Sequence, residues 1–172
     1  MNEKIKQDFL AILGEELVPA MGCTEPIAVS LCTAKAVEVL GKSPEHINVF
    51  LSPNVLKNAM GVGIPNSGMT GLPIAIALGV VAGKSEYGLE VLRDVDAVAV
   101  EQAKALLESN APTITVADES HGILYIKAVV SAGEESAEVV ISGSHTNFSS
   151  VKRNGVEVAS SAAVGGAVAE VE

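Results

Sequence analysis

The chain has 172 residues and a formal net charge of −10, with 48% hydrophobic residues but only 3% aromatic ones and no Trp. That length suits one domain whose core is built from Ala, Val, Ile and Leu. The acidic balance argues against nucleic acid and against anionic membrane surfaces, both of which call for basic patches, and fits a soluble protein.

The charged start, Met1 to Asp8, has no uninterrupted apolar run behind it, so no secretory signal is expected. Ile5 to Leu17 places Ile5, Phe9, Ile12, Leu13 and Leu17 near helical spacing and predicts an amphipathic helix. In Met21-Gly-Cys-Thr-Glu-Pro26, Thr24 suits an N-cap, and Glu25 and Pro26 suit a first helical turn. The helix they open, Thr24 to Leu40, is apolar on most sides and is expected to be buried. Gly41 stops it and Ser43-Pro44 begins a turn.

His46 to Leu51 reads as a short strand and Asn54 to Met60 as a short helix opened by Ser52-Pro53. A glycine-rich stretch runs from Gly61 to Gly71. Leu72 to Ala82 is an apolar helix, far short of the roughly 20 residues a membrane span needs. Asp94 to Ser109 is another helix.

After Pro112 the pattern turns to β-type runs: Thr113–Ala117, Ile123–Ser131, Ala137–Ser142 and Phe148–Arg153. The last feeds Asn154-Gly155, a strong hairpin signal. The expected class is α+β in a single domain, with a helical, glycine-rich N-terminal part over 1–111 that holds one short strand. An antiparallel meander over 112–159 follows, and 160–172 is a tail or the start of a helix continuing into a missing half.

Several constellations could carry chemistry. Cys23 stands at a helix start, where free N–H groups and the helix dipole favour an anion or a thiolate. It reads as a nucleophile, a metal ligand, or simply a small residue at a tight turn. Cys32 lies about 13 Å further along the same helix and half a turn out of phase. The two can neither pair as a disulfide nor share a metal ion, and a reducing cytoplasm is the expected compartment. Helical spacing puts Asn54, Asn58 and Gly61 on one face with Lys57 beside them. Such a face suits a small zwitterion, with Lys57 and backbone N–H groups on the carboxylate and the amides on the amine; the plainer reading is an N-cap and solvated side chains. Gly61 to Gly71 lacks the ending of a phosphate-binding loop, so its glycines, Gly63 among them, mean tight turns or close approach to a ligand or another backbone. In Gly143-Ser-His-Thr-Asn147, His145 is either a proton carrier or an ordinary turn residue. His46 and His121 sit at strand edges without partners in the pattern. A complete metal site cannot be built by spacing.

Pro19-Ala-Met-Gly-Cys-Thr-Glu-Pro26, Ser52-Pro-Asn-Val-Leu-Lys-Asn-Ala-Met-Gly-Val-Gly-Ile-Pro65 and Ser144-His-Thr-Asn147, in this order, resemble the L-cysteine desulfidase family, a relative of the α-chain of iron–sulfur L-serine dehydratases. The resemblance runs along the chain but covers less than half of the family pattern, its N-terminal part. It implies a lyase that breaks L-cysteine into pyruvate, sulfide and ammonia with a [4Fe–4S] cluster. It casts Cys23 as the cluster ligand, Lys57 and His145 as catalytic, and Ser52, Asn54, Asn58, Gly61, Gly63 and Asn147 as substrate-binding. The family's other cluster cysteines lie in a C-terminal half not represented here, and a cluster needs three or four. The expectation is therefore a domain that by itself binds no cluster and is inactive, and that partners a C-terminal half or second subunit. Self-association through exposed apolar surface is a further expectation. Alternatives are an L-serine dehydratase-like domain, in which a hydroxyl leaves instead of a thiol, and a non-catalytic amino-acid-binding or structural module.

Overall fold

A computed structural model of the chain describes residues 4–7, 9, 10 and 20–159. The expected N-terminal amphipathic helix is helical at 4–7, 9 and 10, while its remainder and the tail after 159 lie outside the described residues. The first complete helix, α1, covers Thr24–Leu40 and ends at Gly41 in the left-handed conformation (φ 76). There follow β1 (His46–Leu51), α2 (Pro53–Ala59), a two-strand hairpin of β2 (Gly63–Ile64) and β3 (Met69–Thr70), and α3 (Leu72–Ala82). A 3₁₀ segment, Ser85–Glu90, leads to α4 (Ala97–Ser109), whose N-cap Asp96 accepts from the Ala99 amide. The β-rich part holds β4 (Thr113–Val116), a 3₁₀ turn at Glu119–His121, β5 (Tyr125–Ala132), β6 (Glu135–Ser142), β7 (Phe148–Arg153) and β8 (Val156–Ala159).

The class is α+β. The β5-β6-β7-β8 meander is present, and Asn154 (φ 51) and Gly155 (φ 78) give the β7–β8 hairpin the two positive-φ residues of a type I′ turn. The sheet is nonetheless not a purely C-terminal, antiparallel one. Its order is β4-β1-β5-β6-β7-β8, with β1 inserted between β4 and β5 and parallel to β4. The reason lies in β1 itself: Ile47, Val49 and Leu51 alternate with partly exposed residues, giving the apolar face that a central strand needs. The core therefore runs without a break from the helical part into the sheet.

α1 is buried nearly all round because it lies between two layers. One side packs on β5 and β6, the other on α3, which in turn packs on α4. Small residues set the α1–α3 spacing. A Cβ on Gly79 would sit 2.6 Å from the Ser30 carbonyl oxygen. The Ser30 hydroxyl, fully buried, donates across the crossing to the Ala75 carbonyl at 2.8 Å. Cys32 belongs to the sheet side of α1. It is 0% exposed, its thiol donates to the Val139 carbonyl at 3.3 Å, and burial pushes its pKa up to about 12.

Candidate functional site

Gly22 (φ 91) turns the chain into α1, and Cys23 takes an extended backbone (φ −69, ψ 131) in the N-cap position. The cap thus falls one residue before Thr24, correcting the sequence reading, because it is the Cys23 backbone that stays extended and Thr24 that is already helical. Neither side chain caps the backbone. The Cys23 thiol donates to Glu25 Oε2 at 3.2 Å, and the Thr24 hydroxyl donates to the same oxygen at 3.1 Å. The other oxygen, Oε1, accepts from Asn58 Nδ2 at 3.4 Å and lies 4.0 Å from His145 Nε2.

Glu25 therefore joins three segments far apart in the sequence: the start of α1, the end of α2 and the β6–β7 loop. Its side chain is only 18% exposed. Partial burial alone would raise its pKa. Hydrogen bonds from Cys23, its own amide, Thr24 and Asn58 outweigh that, and the carboxyl is held below its ordinary value. The thiol of Cys23 moves the other way. Burial, followed by its bond to the Glu25 carboxylate, raises its pKa and keeps it a thiol.

Beside Glu25 opens a cleft of about 520 Å³. Asn54, His121, Ile123, Leu124, Ser144 and His145 line it, together with Gly122 and Gly143. A recess of about 290 Å³ adjoins it, bounded by Ser52, Pro53, Asn54, Glu119, Gly122 and Ile123. Both open at the end of the sheet where β1 and β6 finish and β5 begins. That end is assembled by the register, which sets Leu51 opposite Ile126 and Tyr125 opposite Ser142.

The structure brings Cys23, Asn58 and His145 together through Glu25 and puts Asn54 on the cleft wall. Other residues singled out from the sequence fall elsewhere. Ser52 is fully buried; its hydroxyl donates to the Ile123 carbonyl at 2.6 Å and accepts from the Tyr125 amide at 3.4 Å. It ties the end of β1 to the loop before β5 and so shapes the recess. Asn147 donates from Nδ2 to the Ser142 carbonyl at 2.8 Å, and its amide donates to the Ser144 carbonyl at 3.2 Å. It closes the loop that presents His145. Lys57 lies on the exposed side of α2, away from the cleft lining. Gly61 and Gly63 are exposed beyond the end of α2, and a Cβ at either would meet nothing within 4 Å.

Two cleft residues escaped the sequence reading. Glu25 reads locally as a first-turn acid complementing the helix dipole, which conceals its role as a junction. Its place inside Gly-Cys-Thr-Glu-Pro was the available signal. His121 gave no signal, because the cleft wall it joins is built from β4–β5 loop packing.

The donor set does not by itself fit an iron–sulfur cluster. Cys23 is a partly exposed thiol, but Cys32 is enclosed between α1 and the sheet with its S–H on a backbone carbonyl. Among the described residues no group of three or more His, Cys, Asp or Glu side chains could hold a metal ion. The chain offers one thiol ligand.

An α+β protein with a small polar cleft between a helix start and the loops at one end of a mixed sheet is thus defined. The chain is similar to a UPF0597 protein of Bacteroides fragilis, 52% identical over 148 residues, covering 86% of this chain and 35% of that one. It is also similar to a UPF0597 protein of Photobacterium profundum (42% over 156 residues, 91% and 36%) and to the UPF0597 protein YhaM of Salmonella gallinarum (44% over 148 residues, 86% and 34%). The chain spans about a third of the length of the curated relatives it matches. No family model and no solved structure matches it. Among the described residues, no helix is long and apolar enough to cross a membrane.

Proposed function

We propose that this chain forms the amino-acid-binding part of a carbon–sulfur lyase that acts on L-cysteine in the cytoplasm, completed by a further segment or subunit. The observation that supports this reading is the convergence of all three family-like motifs on one carboxylate. Cys23, Asn58 and His145 meet at Glu25, on the wall of a cleft with ample room for an amino acid. The two free cysteines, one of them partly exposed, support that compartment.

The overall reaction is L-cysteine plus water giving pyruvate, hydrogen sulfide and ammonia. Glu25, held anionic, takes the α-ammonium of the substrate on Oε1. His145 Nε2, 4.0 Å from that oxygen, then lies beside the α-carbon and serves as the base for the α-proton. The electron pair of the broken Cα–H bond forms the Cα=Cβ bond as the Cβ–S bond breaks. Sulfide leaves and takes up a proton. The aminoacrylate that remains tautomerises to an imine, which water hydrolyses to pyruvate and ammonia. No step here is assigned to a cluster, since this chain offers only one thiol ligand. In the complete enzyme, Cys23 is the residue of this chain that would reach toward one.

The test is anaerobic sulfide and pyruvate release from L-cysteine by the chain co-expressed with the remaining two thirds of the Bacteroides fragilis relative. Equal yields of both products are expected, with loss of turnover in Cys23→Ser and in His145→Gln. A folded assembly that releases sulfide from neither the wild-type pair nor its reconstituted form refutes the reading. Release of pyruvate from L-serine alone would move the substrate to the hydroxyl amino acid.

A further inference from the structure

Resting on the reading of this cleft as an amino-acid site, we propose that His121, with Asn54 beside it, is the residue that holds the substrate carboxylate and so fixes the direction in which the amino acid lies. The cleft lining supplies the first reason. It carries no Lys or Arg among the described residues, and Lys57, to which the sequence assigned this role, is not part of it. Of the two imidazoles on the lining, His145 already faces Glu25. His121 remains as a donor with no ring hydrogen bond or ion pair among the described residues, although the Asp118 carboxyl is near enough for its pKa to be lowered in part by the ring's charge. The side-chain amide of Asn54, exposed on the same wall, has no hydrogen-bond partner among the described residues.

The second reason is that His121 is held in place. Its ring stacks on Tyr125 with centroids 4.2 Å apart and planes 15° from parallel. Stacking covers one face of the imidazole and leaves the N–H edge, the part that donates to a carboxylate, out of that contact. The backbone beneath is braced as well. Asp118 accepts from the Ser120 amide at 2.8 Å, the His121 amide donates to the Asp118 carbonyl, and Gly122 turns the chain with φ 90. A donor whose orientation is fixed before the ligand arrives loses less entropy on binding.

Charge gives the third reason. Glu25 marks one part of the cleft as the place for an ammonium. Glu119 borders the adjoining recess, whose wall Asn54 shares. Among the described residues Glu25 is the only acidic one on the cleft lining, so a carboxylate is best placed on the His121 and Asn54 wall, which α2 and the β4–β5 loop supply.

Binding of two thiol fragments to the full chain tests this. One is 3-mercaptopropionate, which has the carboxylate and no ammonium. The other is cysteamine, which has the ammonium and no carboxylate. His121→Phe keeps a ring on Tyr125 but removes the donor, and His121→Gln keeps a donor. In His121→Phe, 3-mercaptopropionate and L-cysteine are expected to bind about tenfold more weakly, as for loss of one hydrogen bond to a charged group. Cysteamine is expected to bind as it does to the wild type, and His121→Gln to recover much of the loss. Unchanged affinity for 3-mercaptopropionate in His121→Phe overturns the assignment. So does an equal loss for both fragments, which would mark His121 as structural only. If the wild-type chain binds none of the three compounds, the amino-acid reading of the cleft fails first and the His121 assignment falls with it.

Discussion

At Cys23 the geometry opposes the usual expectation for a cysteine at a helix start. A helix N-terminus normally favours the thiolate. Here burial and the Glu25 carboxylate together raise the thiol pKa. Replacing Glu25 with Gln removes the negative charge and lowers that pKa, so more thiolate is present at neutral pH. Alkylation of Cys23 by iodoacetamide is expected to be several-fold faster in Glu25→Gln than in the wild type. Cys32, with its pKa at about 12 and no exposure, is expected to react only after denaturation, giving one labelled site in the native chain and two in the unfolded one. The same carboxylate sets a pH limit. Its pKa is lowered from 4.5, so its contribution to stability is complete above that value and is lost as pH falls through the lower folded value. Loss of protection of the Asn58 side-chain amide, followed by NMR across that acid range, checks the sign. Cys23 and His145 were legible as candidates because their side-chain chemistry stands out in the sequence. Glu25 and His121 were not, since their roles come from contacts across tens of residues that no local spacing encodes.

Among the elements, the α1–α3 crossing carries the tightest packing. Gly79→Ala places a Cβ 2.6 Å from the Ser30 carbonyl oxygen and is expected to cost about 1–3 kcal/mol in thermal or urea unfolding. Gly155→Ala in the β7–β8 turn forces a side chain into φ 78 and is expected to cost about 1–2 kcal/mol without disturbing the cleft. The helices over Thr24–Leu40 and Leu72–Ala82 and the strands His46–Leu51 and Phe148–Arg153 were readable to their ends. There, the capping Gly41, the first-turn prolines, the alternation of β1 and the Asn154-Gly155 turn agree with the tertiary environment. The 3₁₀ turn at Glu119–His121 and the β2–β3 hairpin were not readable. Each is too short to show a period, and each is held by loop contacts instead.

The whole molecule places its cleft where a helical layer meets the end of a mixed sheet. The helical half and the sheet half do not stand apart, because β1 crosses from one into the other and pairs with both β4 and β5. The α+β class was legible from the change of periodicity near Pro112. The parallel β1–β4 pairing was not, since strand order depends on long-range packing of an apolar face that looks the same in any central position. A second groove of about 550 Å³ lies between α1, α3 and α4, lined by Val37, Val80, Val81 and Leu106 among others. It provides an internal comparison for the central claim, that the Glu25 cleft is where an α-amino acid binds. The most direct measurement is an NMR titration of the chain with L-cysteine under reducing conditions. Resonances of Cys23, Asn58 and His145 are expected to shift together with one dissociation constant, and Glu25→Gln to weaken all three alike. Shifts confined to the α1–α3–α4 groove, or independent responses at the three residues, would contradict it.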